Sequence, residues 1–119
     1  MPNPSLNKIY DSISGILTRE EYRNSAGQLH RDDGPAVVWY DPTEGGVSVE
    51  EYFQNGVKHR EDGPALVAYF RNGEKDREEY YRDDRLHRED GPAFIRYNPT
   101  DGSVWWASFY QNGERVESL

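Results

Sequence analysis

The sequence predicts an all-β domain, a meandering antiparallel sheet built from about 3.5 β-hairpin repeats. Three observations predict this fold. A His-Arg-acid-Asp-Gly-Pro-Ala motif occurs three times, with its histidines spaced by 29 and 28 residues. A short β-branched or aromatic run follows each copy, and a glycine-containing turn follows each run. No segment after residue 17 shows an apolar stripe of helical period.

Composition limits the size and class of this domain. The chain has 119 residues, the length of one ordinary domain. Only 34% of residues are hydrophobic and the net charge is −8, a combination that also occurs in disordered chains. The aromatic content of 13% argues instead for a folded, thin or elongated domain with an aromatic core. The absence of cysteine excludes a disulfide framework and thiol chemistry.

We expect a single repeat domain over residues 1–119. Residues 1–17 are predicted to form an N-terminal cap, because a terminal segment that departs from the repeat usually caps the stack. In this cap Ile9 and Ile13 stand at helical spacing, so a short helix between Leu6 and Ile16 is predicted, with a strand as the alternative. The predicted repeat units are residues 18–56, 57–84 and 85–119.

Each unit contains two predicted strands. The first strands are residues 36–40, 65–69 and 93–97, and the second strands are residues 47–54, 75–82 and 103–111. Between them lie Asn-Gly or Asp-Gly turns, or a longer turn ending in glycine, which supply the positive φ of tight hairpins. Side chains alternate across a strand, and one face of each first strand carries Ala, an aliphatic residue and Tyr. We expect this repeated face to be the core, and the varying face to be exposed or to bind.

The recurring motif is interpreted as a structural corner between units. Glycine is expected to adopt a backbone shape closed to other residues, and proline to fix φ at the start of a strand. Aspartate is expected to accept backbone amides, and histidine to bond to the neighbouring unit or to that aspartate. Partner binding, metal binding and catalysis are the alternatives. The corner residues are His30, Arg31, Asp33, Gly34, Pro35, His59, Arg60, Asp62, Gly63, Pro64, His87, Arg88, Asp90, Gly91 and Pro92.

Six residues are candidates for binding a partner, because exposed aromatics mark interfaces and charged clusters select partners. Trp105 and Trp106 are adjacent in a strand, so one of them is expected in the core and the other half-buried or in contact with a partner. The acid-rich clusters are expected to form a solvated face, with imitation of nucleic acid or contact with a basic protein as the alternatives. The candidates are Trp39, Phe70, Arg96, Trp105, Glu78 and Glu79.

The His-Arg-x-Asp-Gly-Pro-Ala corner, followed by a strand with Tyr-x-x-Asn-Gly, resembles the MORN-variant repeats of phages, large DNA viruses and bacteria. The resemblance covers roughly residues 18–116. It implies β-hairpins laid side by side in an extended sheet. It also implies an interaction scaffold, since some bacterial relatives act as antitoxins or immunity partners of toxins.

The sequence predicts a binding protein without catalytic, cofactor or metal residues. A nucleophile elbow, a P-loop, a dinucleotide fingerprint and zinc-ligand spacing are all missing from it. We expect a non-enzymatic protein of the cytoplasm, or of the host cytosol if viral, that inhibits or occludes another protein, as anti-defence inhibitors and antitoxins do. A self-assembling scaffold module, with a homo-oligomer, and an acidic nucleic-acid mimic are the alternatives. Direct nucleic-acid binding and membrane insertion are not expected of an acidic chain without an apolar span.

Overall fold

The computed structural model describes residues 4–117 and confirms the predicted all-β meandering sheet. Nine antiparallel strands form one open sheet in the order β1-β2-β3-β4-β7-β8-β11-β12-β13, and two small hairpins, β5–β6 and β9–β10, branch from it. The strands are β1 Ser5–Tyr10, β2 Leu17–Arg23, β3 Val37–Tyr40, β4 Val47–Glu51, β5 Phe53–Gln54, β6 Val57–Lys58, β7 Leu66–Tyr69, β8 Lys75–Glu79, β9 Tyr81–Arg82, β10 Arg85–Leu86, β11 Phe94–Tyr97, β12 Val104–Gln111 and β13 Glu114–Val116.

The predicted N-terminal helix is wrong, because residues 5–10 form strand β1. β1 pairs with β2 along its whole length, so its backbone groups bond across the sheet rather than within a helix. The turn between them is set by Asp11, whose carboxylate accepts the backbone amides of Ile13 and Ser14 at 2.9 and 2.7 Å. Residues 1–3 of the expected cap lie outside the described part of the chain.

The predicted second strands are interrupted where the chain leaves the main sheet. β4 ends before Tyr52 and β8 ends before Tyr80, and the next residues form the two small hairpins. The first hairpin closes at Asn55 and Gly56, which adopt positive φ values of 49° and 82°, as the Asn-Gly pair predicts. In the last unit β12 continues without a break into the hairpin that it forms with β13.

Alanine, aliphatic and carboxylate side chains make up the core of the sheet. The expected aromatic core is wrong, because no Phe, Trp or Tyr among the described residues is fully buried. Ala36, Ala65 and Ala93 are fully buried, which matches the expectation for the repeated face. The opposite face is not simply exposed, since Val37 and Leu66 are buried as well. The described part of the chain measures 44 × 38 × 20 Å, the thin shape that the composition predicts.

Candidate functional site

Each corner histidine is bonded to a hairpin turn of its own predicted unit, not to the neighbouring unit or to the corner aspartate as expected. His30 Nδ1 accepts the backbone amide of Asn55 at 3.0 Å, and Asn55 lies in the β5–β6 hairpin turn at the end of the same predicted unit. The other two corners repeat this bond, with distances of 3.2 Å from Asp83 N to His59 Nδ1 and 2.9 Å from Asn112 N to His87 Nδ1. Each histidine therefore fixes the position of the following hairpin, and His87 is buried in doing so.

The corner arginines lie between a tyrosine ring and a glycine. The Arg60 guanidinium stands 3.9 Å from the centre of the Tyr52 ring, and its Nη1 donates to the Pro64 carbonyl at 3.1 Å. On the other side, a β-carbon added at Gly63 would lie 2.9 Å from Arg60 Cζ. A side chain at this glycine would therefore have to displace the end of the arginine side chain from its stack. The equivalent stacks are Arg31 on Tyr22 and Arg88 on Tyr80.

Two details of the corner differ from the sequence-based interpretation. Gly34, Gly63 and Gly91 are not among the residues with positive φ, so close packing rather than backbone shape selects them. The corner aspartates pair with arginine instead of accepting turn amides, as in the 3.0 Å contact between Arg31 Nε and Asp33 Oδ1. The carboxylates of these aspartates remain largely exposed to solvent.

A second group of residues forms one row across the opposite face of the sheet. Directly paired residues of antiparallel strands share a face, so the register defines the row. The row contains Arg19, Trp39, Val49, Ala68, Arg77, Arg96 and Trp106, which are opposite one another from β2 to β12. We call it the Trp–Arg row, because five of its seven residues are Trp or Arg and all five are partly exposed.

Neighbouring carboxylates hold the side chains of the Trp–Arg row in place. The Arg19 guanidinium is ion-paired with Glu21 and stacks 4.5 Å from the centre of the Trp39 ring. The Trp39 indole N–H donates to Glu51 Oε1 at 2.9 Å. These contacts order the row before any partner arrives, which reduces the entropy that binding would cost.

The same arrangement continues at the β8–β11 end of the row. Arg77 Nε lies 2.7 Å from Glu79 Oε2, whereas Arg96 reaches only to 3.8 Å from Asp76. Arg77 and Arg96 are directly opposite each other, an arrangement of like charges that weakens strand pairing. The sheet therefore holds two adjacent guanidinium groups, of which Arg77 is closely ion-paired and Arg96 is held more loosely.

The expectation that one of Trp105 and Trp106 lies in the core is wrong. Their side chains are 66% and 50% exposed, respectively. The register shift between Arg96 and Tyr97 makes Trp105 the extra residue of a β-bulge, which interrupts the alternation of side chains. The bulge places Trp105 against Arg96, 5.4 Å from the guanidinium to the ring centre.

The interpretation of Glu78 and Glu79 as partner-binding surface acids is also wrong, because both are buried. Glu78 accepts a short hydrogen bond from the Tyr97 hydroxyl, and Glu79 accepts one from Tyr81 at 2.6 Å. Burial, followed by the bond to its glutamate, raises the pKa of each of these tyrosines. The position of these two glutamates is therefore explained by their hydrogen bonds to tyrosine hydroxyls and not by solvation.

Equivalent Tyr–Glu bonds recur in each unit. Tyr69 donates to Glu50 at 2.6 Å, and Tyr40 donates to Glu20. The bond to Glu20 is the main cause that raises the pKa of Tyr40 to about 12. These pairs lie on the face that carries the repeated alanines, opposite the Trp–Arg row. Phe70 belongs to neither group, because it stands in the turn after β7.

Within residues 4–117, no group of three or more His, Asp or Glu side chains is arranged to hold a metal ion. The described chain also contains no helix that is long and apolar enough to span a membrane. Comparisons of the chain with known protein families, with curated proteins and with solved structures gave no match.

Proposed function

We propose that this chain is a non-enzymatic binding protein that occludes a surface of another protein through the Trp–Arg row. One observation carries the proposal: a single cross-strand row concentrates partly exposed Trp and Arg, residue types that dominate binding energy in protein interfaces. The row runs across a sheet rather than along a flexible loop, so its side chains keep fixed spacings. An inhibitor or antitoxin-like partner of an enzyme acts through such a stoichiometric, rigid surface.

Repeat geometry supports assigning binding to this face. Trp39, Ala68 and Arg96 occupy equivalent positions in three consecutive units, yet their chemistry differs completely. A position that serves only packing between identical units would repeat its residue type. The chemistry of the row favours a partner that offers carboxylates to the paired arginines and an apolar or aromatic surface to the tryptophans.

The test is capture of a partner from a host lysate by wild type and by two single variants, Trp39→Ala and Arg96→Ala. Arg85→Ala, an exposed arginine on a small hairpin, is the matched control. Loss of a binding hot spot costs at least about 2 kcal/mol, so each row variant should weaken the captured complex by roughly 30-fold or more. A partner that binds both row variants and the control equally well would contradict the proposal.

A further variant separates this proposal from imitation of nucleic acid. The corner aspartates Asp33, Asp62 and Asp90 are exposed, whereas Glu78 and Glu79 are unsuitable for charge reversal because they are buried. Changing the three aspartates to asparagine should leave partner affinity within about threefold if the row binds. A steep loss of affinity in this variant, matched by a steep salt dependence of the wild type, would instead favour the acidic mimic.

A further inference from the structure

β1 occupies the place of a first strand of a repeat, although its sequence lacks the Gly-Pro-Ala corner. Ile9 and Lys8 are opposite Arg19 and Glu20 on β2, with a register shift at Tyr10. The hairpin of β3 and β4 has the same register and the same shift, at Tyr40. The two turns also match, because Asp11 N bonds to Ile16 O at 2.8 Å and Asp41 N bonds to Gly46 O at 2.7 Å.

Inside the sheet, each of the first strands β3, β7 and β11 pairs with the main-sheet strand that precedes it in the chain. These junctions are β2–β3, β4–β7 and β8–β11. β12 is a second strand, and in the described part of the chain nothing pairs with its outer edge between Val104 and Ser108. β1 is a first strand whose outer edge is equally unpaired among the described residues. The two ends of the sheet are therefore complementary members of the same junction.

Both open edges carry exposed apolar side chains. Leu6 and Tyr10 on β1 are 44% and 55% exposed, and Val104 and Trp106 on β12 are exposed to a similar degree. Sheet edges are normally protected from pairing by proline or by several charges. β1 has one charged residue, Lys8, and β12 has none, so neither edge is protected in this way.

We propose that a second copy of this chain pairs its β1 with the outer edge of β12, head to tail, and so continues the sheet from one molecule into the next. The register of the β4–β7 junction places Ile9 of the added copy opposite Trp106, Lys8 opposite Ala107 and Asn7 opposite Ser108. The contact uses the β12 end of the Trp–Arg row, where it would cover Trp106, whereas the function proposed for the row is tested at Trp39 and Arg96. The two proposals can therefore fail separately. Such a heterologous contact does not close on itself in a dimer, and each dimer keeps one free edge of each kind.

Two substitutions are designed to block one sheet edge each. In the monomer, each introduced carboxylate has an arginine opposite it, which should keep the variant folded. Ile9→Glu places a carboxylate opposite Arg19 within the molecule, and Trp106→Glu places one opposite Arg96. At the proposed junction each carboxylate would instead face an apolar residue of the other copy and lose its hydration. Ile13→Glu, in the exposed β1–β2 turn, is the control with the same change of charge.

The experiment is sedimentation velocity or light scattering over about a hundredfold range of concentration, with circular dichroism to verify folding. Wild type and Ile13→Glu should form species that grow with concentration. Ile9→Glu and Trp106→Glu should each remain at the 13.8 kDa monomer mass. An equimolar mixture of these two variants should form a complex of twice that mass and nothing larger, because only one productive junction remains.

Other results overturn the proposal. Monomeric wild type at the highest concentration would show that the edges do not pair. Loss of assembly in Trp106→Glu alone, with Ile9→Glu unaffected, would indicate a two-fold β12–β12 contact. A mixture of the two variants that stays monomeric would exclude head-to-tail pairing even if the wild type assembles.

Discussion

Replacing Gly63 by alanine tests whether the arginine stack selects the corner glycines. The added β-carbon would lie 2.9 Å from Arg60 Cζ and 3.0 Å from Nη1, closer than carbon atoms approach each other. We expect the arginine side chain to give way by withdrawing from the Tyr52 ring and losing its bond to the Pro64 carbonyl. The stack contributes about 0.5–1 kcal/mol and the charged hydrogen bond about 1.5–3 kcal/mol. Replacing glycine by alanine also lowers the conformational entropy of the unfolded chain, which stabilises the fold by about 0.4–1 kcal/mol. The free energy of unfolding should therefore fall by about 1–3 kcal/mol in total.

Equilibrium urea denaturation measures this loss, and Gly46→Ala is the control. Gly46 does not have a positive φ and has no atom within 4 Å of its added β-carbon, so its replacement should be neutral or slightly stabilising. The double variant with Arg60→Ala should cost less than the two single changes together, because the clash is removed with the side chain. Equal stability of the Gly63 and Gly46 variants, or strict additivity of the double variant, would refute this explanation of the corner.

Three further predictions follow from the hydrogen bonds of the units. His87→Ala should lower the free energy of unfolding by about 1–3 kcal/mol, since the Asn112 amide loses its acceptor, and His87→Asn should recover part of it in urea titrations. Because the pKa of Tyr69 is raised in the folded state, its hydroxyl stays protonated to a higher pH there than in the unfolded chain. The free energy of unfolding should therefore fall above pH ~10. Denaturation at alkaline pH should show that Tyr69→Phe reduces this slope by up to about 1.4 kcal/mol per pH unit. Amides of Glu44 and Thr43 lower the pKa of Asp41, so its contribution is complete above pH ~4 and lost on acidification, and Asp41→Asn should flatten the acid limb of the stability curve.

The sequence was sufficient to predict those parts of the fold that depend on local patterns. Asn55-Gly56 gives a tight turn because both residues tolerate positive φ, and the run from Phe94 to Tyr97 gives a strand because of its β-branched and aromatic residues. β1 was missed as a repeat strand because Leu6 to Tyr10 shares the register of the other first strands but none of their corner residues. Register depends on partners across the sheet, which a pattern along the chain does not contain.

The candidate sites show the same division between local and cross-strand information. Alternation along a strand predicts that adjacent tryptophans point to opposite faces of the sheet. The bulge at Trp105 breaks this alternation, because it adds one residue to the strand. The burial of Glu78 is explained by Tyr97 on the adjacent strand β11, whose hydroxyl donates to its carboxylate. Arg19 and Arg77 were missed as members of the Trp–Arg row, and the only signal in the sequence would have been the correct pairing of their strands.

The arrangement of carboxylates explains how a chain with few apolar residues still specifies one register. On the face of the repeated alanines, Val38, Glu50, Val67, Glu78 and Ile95 are opposite one another in succession. The glutamate stems fill space between aliphatic side chains, while their carboxylates bond to tyrosine hydroxyls. A slip by one residue would place each carboxylate on the other face, away from its tyrosine, so the pairs select the register as well as stabilise it.

Because the face of the repeated alanines holds the register, the residues of the Trp–Arg row can differ between units. At the position beside the aliphatic residue of each first strand, the units carry Trp39, Ala68 and Arg96, and strand pairing is the same at all three. Changes there leave the Tyr–Glu pairs of Glu20, Glu50 and Glu78 in place, because these three glutamates lie on the opposite face. A repeat whose register is held by one face can therefore change the residues of the other face unit by unit, as it does at Trp39, Ala68 and Arg96.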